Sequence, residues 1–241
     1  MRKTNCGIAL LCGIAASVWI GLTPSPLEAQ GASGTREKVA EEHAASYPKD
    51  VYPDSGNRLP LIKREELSEE DRKLYDMAAG DTRSRVGLRG PAGIRLYSPR
   101  LTEAARQGNE YLRFNSGLGA RLSELAILVT ARELDHQFEW TAHEPAGLKA
   151  GLEPAIIDIV KYRKPLTGLG EKEAAIIRLG REAVGKRKVS SDTFARALKL
   201  FGKENLVNLV SLMGQYSATS ILLNTFDQHL PPDQKPLLPI P

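Results

Sequence analysis

The chain has 241 residues, with 33 lysines and arginines against 29 aspartates and glutamates, 41% hydrophobic residues and 6% aromatic ones. That balance excludes a disordered, a collagen-like or a disulfide-stapled chain, and the length allows one sizeable core or two small ones. A formal charge of +4 with interspersed signs, and no basic stripe, zinc-finger spacing or RNP-like aromatic run, excludes a nucleic-acid partner.

In chain order, residues 1–29 read as a secretory signal. Arg2 and Lys3 supply the positive start, and Ile8 to Leu22 is apolar. That stretch is shorter than the roughly 20 residues a spanning helix needs. Pro24 and Pro26 break it, and Ala29 offers a small residue before a cut. A retained N-terminal anchor is the alternative. Cleavage implies a periplasmic or secreted protein with no membrane contact afterwards. Cys6 and Cys12 both lie inside this segment. The processed protein then has no disulfide, no cysteine nucleophile and no cysteine metal ligand.

Residues 30–57 read as a flexible leader rich in turn formers, with a short helix at about 35–45. A succession of helices follows over 58–230. Ser68 and Asp71 mark the start of one that reaches about residue 79. Ser98-Pro99 opens another, which ends at Asn115-Ser116-Gly117. Further helices begin near Leu122 and at His136, then cover about 153–163 and 170–184. Ser190 and Ser191 cap one through Leu200, and the longest covers about 204–227. The Pro-rich tail, 231–241, cannot be helical. No run alternates with period two for long enough to build a sheet, so the expected class is all-α.

Two helical stretches, 125–129 and 206–223, are apolar almost all round, and a helix with no polar face is expected to be buried on all sides. A protein this small rarely buries two such helices within one subunit, so a homo-oligomer is expected. A compact monomer with two central helices is the alternative.

Chemistry concentrates in residues 124–143. Asp135 is a candidate N-cap, and His136, Glu139 and His143 follow at i, i+3 and i+7 on one helical stripe. Pro145 should kink or end that helix near Glu144. A glutamate–histidine pair at i, i+4 suits general acid–base work, because the carboxylate orients the ring and raises its basicity. Glu124 opens an otherwise apolar helix, and burial there would raise its pKa. A solvated surface pair is the alternative reading. No metal site is expected. His136 and His143 stand about 10 Å apart along a straight helix, and His43 and His229 fall in the leader and near the tail. No cofactor is expected either.

The stretch resembles the carboxymuconolactone decarboxylase / alkylhydroperoxidase D superfamily. Redox members of that family carry Glu, eleven residues, Cys-x-x-Cys, three residues and His. Glu124 and His143 match the outer positions at that spacing, while His136 and Glu139 stand at the two cysteine positions. Arg58-Leu59-Pro60, Gly90-Pro91 with Ser98-Pro99, and Gly214-Gln215-Tyr216 with Leu222-Leu223-Asn224 extend the likeness over about 58–230.

The resemblance implies an AhpD-like helical fold assembling into trimers or hexamers, with a site near a subunit boundary. Thiol peroxidase chemistry needs both cysteines and lacks them here. The decarboxylase branch implies a cofactor-independent lyase or proton-transfer enzyme acting on a small carboxylated substrate, a lactone or a keto acid. His143 would be its acid–base residue, with Glu124, Glu139 and His136 as catalytic partners. Arg132 and Arg121 would bind the substrate carboxylate, and Tyr216 and Gln215 would line the pocket. The alternatives are helix-surface charge for the arginines, a hydrogen-bonded core pair for Tyr216 and Gln215, and a non-catalytic scaffold or ligand-binding protein for the whole.

Overall fold

The computed structural model describes residues 47–84 and 86–240. The signal segment, the cysteines, His43 and the expected helix at 35–45 lie outside them. Among the described residues, eight α-helices run in order: α1 (Arg72–Ala79), α2 (Pro91–Arg95), α3 (Pro99–Glu110), α4 (Ala120–Glu133), α5 (Gln137–Lys149), α6 (Pro154–Lys161), α7 (Glu171–Gly180) and α8 (Ser191–Thr225). Among the described residues there is no strand beyond a single antiparallel bridge between Tyr52 and Asn57. The all-α class read from the sequence is the observed one.

Helix α4 is the centre of the fold. Every residue from Ser123 to Arg132 is buried, and α5, α6, α7 and α8 all pack on it. An apolar helix surrounded by other helices has no need of a polar face. Gly180 makes the α4–α7 approach close, since a Cβ there would stand 2.3 Å from Val129 Cγ1. The second apolar stretch behaves differently. Gly202 (φ 73°) breaks α8, and the part beyond it buries one face while Val207, Val210 and Ile221 face outward. By length and composition α8 could cross a membrane, yet half of its most apolar window is buried against the fold.

Helices α3 and α7 each end in a π-helical turn, Tyr111–Asn115 and Arg181–Gly185. Such turns widen the backbone and re-aim side chains. Two local expectations are corrected. His136, not Asp135, is the N-cap of α5: its Nδ1 accepts from the Glu139 amide at 3.2 Å, while Asp135 takes a left-handed conformation (φ 49°). Pro145 does not end the helix, which runs on to Lys149. The adjoining turn is held by Trp140 donating to Glu144 and by Lys161 paired with Glu144 at 2.8 Å.

The leader and tail boundaries also shift. Residues 47–57 form a packed turn rather than a loose leader. Asn57 donates to Gln228, Arg58 N to the Phe226 carbonyl, and His229 N to the Gly56 carbonyl. The tail is non-helical as expected, but it is docked. Leu238 is buried in the main core, and Leu237 N donates to the Thr141 hydroxyl.

Candidate active site

Four elements bring one buried cluster together. Glu124 comes from the first turns of α4, Glu139 and His143 from α5, Tyr216 from α8 and Arg113 from the π turn after α3. Glu124, Glu139, His143 and Tyr216 are all buried. Arg113 and, at the end of α2, Arg95 are half-buried.

The His143 ring is held on both edges. Its Nδ1 lies 2.7 Å from Glu124 Oε2, and its Nε2 lies 3.5 Å from Glu139 Oε2. The Tyr216 ring meets it edge-on, with centroids 4.9 Å apart. Arg113 donates to the other Glu124 oxygen at 2.6 Å. Arg95 donates to the Thr219 hydroxyl at 2.6 Å.

The two carboxyls are pushed in opposite directions. Burial alone would raise Glu124, but the His143 and Arg113 charges and hydrogen bonds outweigh it and hold the carboxyl down at about 2. Glu139 is raised, because burial outweighs the attraction of His143, Arg95 and Arg113. Burial also raises the Tyr216 hydroxyl, so it stays protonated, and it lowers Arg95. An ionised Glu124 only accepts hydrogen bonds, so His143 Nδ1 carries a proton. In the neutral ring the basic Nε2 therefore faces Glu139, the carboxyl most easily protonated. Paired titratable groups driven apart in this way are the arrangement acid–base chemistry uses.

Of the residues expected from the sequence, Glu124, Glu139, His143 and Tyr216 come together. His136 caps the helix that carries Glu139. Its Nε2 is buried without a partner, and burial lowers its pKa. It thus positions Glu139 and makes no hydrogen bond or ion pair with His143. Arg121 is bound to Glu173 at 2.6 Å and to Glu153. Arg132 is bound to the Pro239 carbonyl at 2.9 Å and to Asp135 at 3.2 Å. Gln215 points at α3 and donates to Asn109 at 2.9 Å. None of these three reaches the cluster, since each is occupied by partners elsewhere.

Two members went unpredicted, Arg95 and Arg113. Both sit between large apolar residues, Ile94-Arg95-Leu96 and Leu112-Arg113-Phe114. That signal is weak, because Arg178 is flanked in the same way and is exposed. Arg113 is aimed inward by the π turn, which period-3.6 reasoning does not foresee. Its Nε is buried without a hydrogen-bond partner, as is the Ser123 hydroxyl beside Glu124. Glu124 and Glu139 face opposite nitrogens of His143, so these side chains do not converge on one point.

No family model matches the sequence, and no curated protein matches it. Among solved structures, the chain is similar to the alkylhydroperoxidase AhpD core of an uncharacterized peroxidase-related protein from Ralstonia eutropha JMP134. The identity is 13%, over 73% of this chain and 93% of that one, with a TM-score of 0.59. The chain therefore has an AhpD-like helical fold.

Proposed function

We propose that the protein is a cofactor-independent acid–base enzyme, a lyase or proton-transfer catalyst acting on a small carboxylated substrate such as a carboxylated lactone or a 2-oxo acid. The observation that carries this reading is His143, held between Glu124 on Nδ1 at 2.7 Å and Glu139 at Nε2 at 3.5 Å, with Arg113 on the far side of Glu124 and with burial raising the Glu139 carboxyl while Glu124 is lowered. The substrate carboxylate would meet Arg95, which among the described residues has no carboxylate partner in an ion pair. When a carbon–hydrogen bond next to a carbonyl breaks, or a carboxylate placed to feed its bonding pair into a carbonyl leaves as CO2, that pair is delocalised onto the carbonyl oxygen as an enolate stabilised by the positive charge of Arg95 and Arg113. The proton moves between that carbon and His143 Nε2, and Glu139 replenishes it.

The solved neighbour is titled peroxidase-related. Residues 13–241 of this chain contain no cysteine, and Glu139 stands at one of the positions where a dithiol cycle needs a thiol. Export through the N-terminal segment and self-association belong to the same proposal. They rest on the sequence of residues 1–29 and on the outward apolar face of α8.

The test is hydrogen–deuterium exchange and decarboxylation of a panel of carboxylated lactones and 2-oxo acids, followed by NMR in D2O. Wild-type protein should exchange or decarboxylate at least one compound. His143→Ala and Glu139→Gln should lower that rate by about 100-fold or more, with helix content unchanged. Full activity in His143→Ala would refute the proposal.

A further inference from the structure

The tail is held on the fold in the way a peptide ligand is held. Among the described residues, no backbone–backbone hydrogen bond joins residues 235–240 to the rest of the chain. Side chains bond its backbone instead. Gln137, with its amide nitrogen turned to the tail, donates to the Leu238 carbonyl at 2.7 Å and accepts from Leu238 N at 3.1 Å. The same Gln137 oxygen accepts from Leu237 N at 2.7 Å, and the Thr141 hydroxyl lies 3.2 Å from that nitrogen. Arg132 donates to the Pro239 carbonyl at 2.9 Å. Leu237 and Leu238 stand between Pro236 and Pro239, which carry no N–H. Both N–H groups that this stretch offers are therefore taken by Gln137.

One side chain supplies the apolar contact. Leu238 is buried in the main core, while Pro236, Leu237, Pro239 and Ile240 around it are exposed. Between His229 and Pro236 the segment borders an open depression lined by Tyr47, Phe138 and Gln234, so this anchor is separate from the bond His229 makes to Gly56. Main-chain hydrogen bonds to an extended segment, with a pocket for a chosen side chain, are the means by which peptide grooves hold their ligands. The two prolines fix φ in advance and lower the ordering cost of binding. Gln137 and Thr141 lie one turn apart on α5. Glu139 and His143, two residues beyond each, stand about 200° round the helix. The tail thus braces α5 on the side away from the buried cluster.

We propose that Arg132, Gln137 and Thr141 form a peptide-recognition groove for an extended Leu-Leu-Pro segment, and that its resident, exchangeable ligand is the chain's own tail. Release of the tail opens the groove to the same sequence supplied in trans, and the first turn of α5 loses its outer brace. Peptide binding here is independent of the reaction assigned to His143.

The test is an NMR titration of the full chain carrying Leu238→Asp, which places a charge on the anchoring side chain and so frees the groove. The probe is the synthetic peptide of residues 234–241. Saturable one-to-one binding is expected, with shifts at the Gln137 side-chain amide, at Thr141 and, through the brace, at the His143 ring. The same peptide carrying Leu238→Asp should not bind. Wild-type chain should bind the probe roughly tenfold more weakly or less, because a tethered tail competes at about millimolar effective concentration. Gln137→Leu added to the Leu238→Asp chain should weaken the probe roughly threefold to tenfold. Absence of saturable binding overturns the proposal, as does equal binding of the aspartate peptide, or affinity unchanged in wild type or by Gln137→Leu. A His143 ring unmoved at saturation overturns the brace. If Leu238→Asp does not fold, Leu238→Ala takes its place. Loss of helix content in that chain too would make the tail part of the core rather than a ligand, and overturns the proposal as well.

Discussion

Glu139 is an expensive residue to keep. Its carboxyl titrates above the ordinary 4.5 in the folded protein. The native state therefore holds a proton that the unfolded chain has released, and stability falls as pH rises from about 4.5 towards the folded pKa. Glu139→Gln should thus raise stability at pH 7 while removing activity. Urea denaturation at pH 4 and pH 7 should show the gain only at the higher pH. Glu124 has the opposite sign. Its folded pKa of about 2 lies below 4.5, so its contribution is present above 4.5 and lost as pH falls through that window. Glu124→Gln leaves Arg113 without its counter-ion and should cost about 3–5 kcal/mol. The spacing of Glu124, Glu139 and His143 made this triad legible in the sequence, because two of its members share one helical stripe. Its arginines were not legible, since a guanidinium's direction depends on which neighbours claim it. Arg121 finds Glu153 and Glu173, and Arg113 finds Glu124.

At the scale of elements, close approach decides more than propensity. Gly180 lets α7 lie on Val129 of α4, and Gly180→Ala should cost roughly 1–3 kcal/mol by overpacking. Val129→Ala in the same chain should recover part of that loss, a coupling readable in a double-mutant cycle. Helix positions were readable from caps and breakers. Ser190 caps α8 by accepting from Thr193 N at 3.3 Å, and Gly202 interrupts it near the expected gap. The two π turns and the continuation of α5 through Pro145 were not readable. A five-residue turn leaves no periodicity to detect, and a proline inside a helix is tolerated only because contacts remote in sequence hold the turns around it.

For the whole molecule, the unfinished surface is the outer face of α8. Residues 205–226 contain no charged side chain. Val207 and Ile221 are 64% and 67% exposed, and Gly214 between them has no neighbouring atom within 4 Å of a Cβ position. A solvent-facing stripe of this kind suits a helix from a second copy. Light scattering should find an oligomer, and Ile221→Glu should shift it towards monomer without loss of helix content. An unchanged mass in that variant would place the contact on another face.

The clasp between residues 55–58 and 226–229 sets an order of events. The bond from Asn57 to Gln228 spans 171 positions of chain, whereas α4 through α7 are neighbours in sequence. Short-range helical contacts form fast and long loops close late. During synthesis the α4-centred core can gather as its helices emerge, but the clasp waits until residue 229 is free. In the native state it should also be the first part to open. Amide exchange should therefore be faster at His229 and Arg58 than anywhere along 125–131, which only unfolding of the entire core would release.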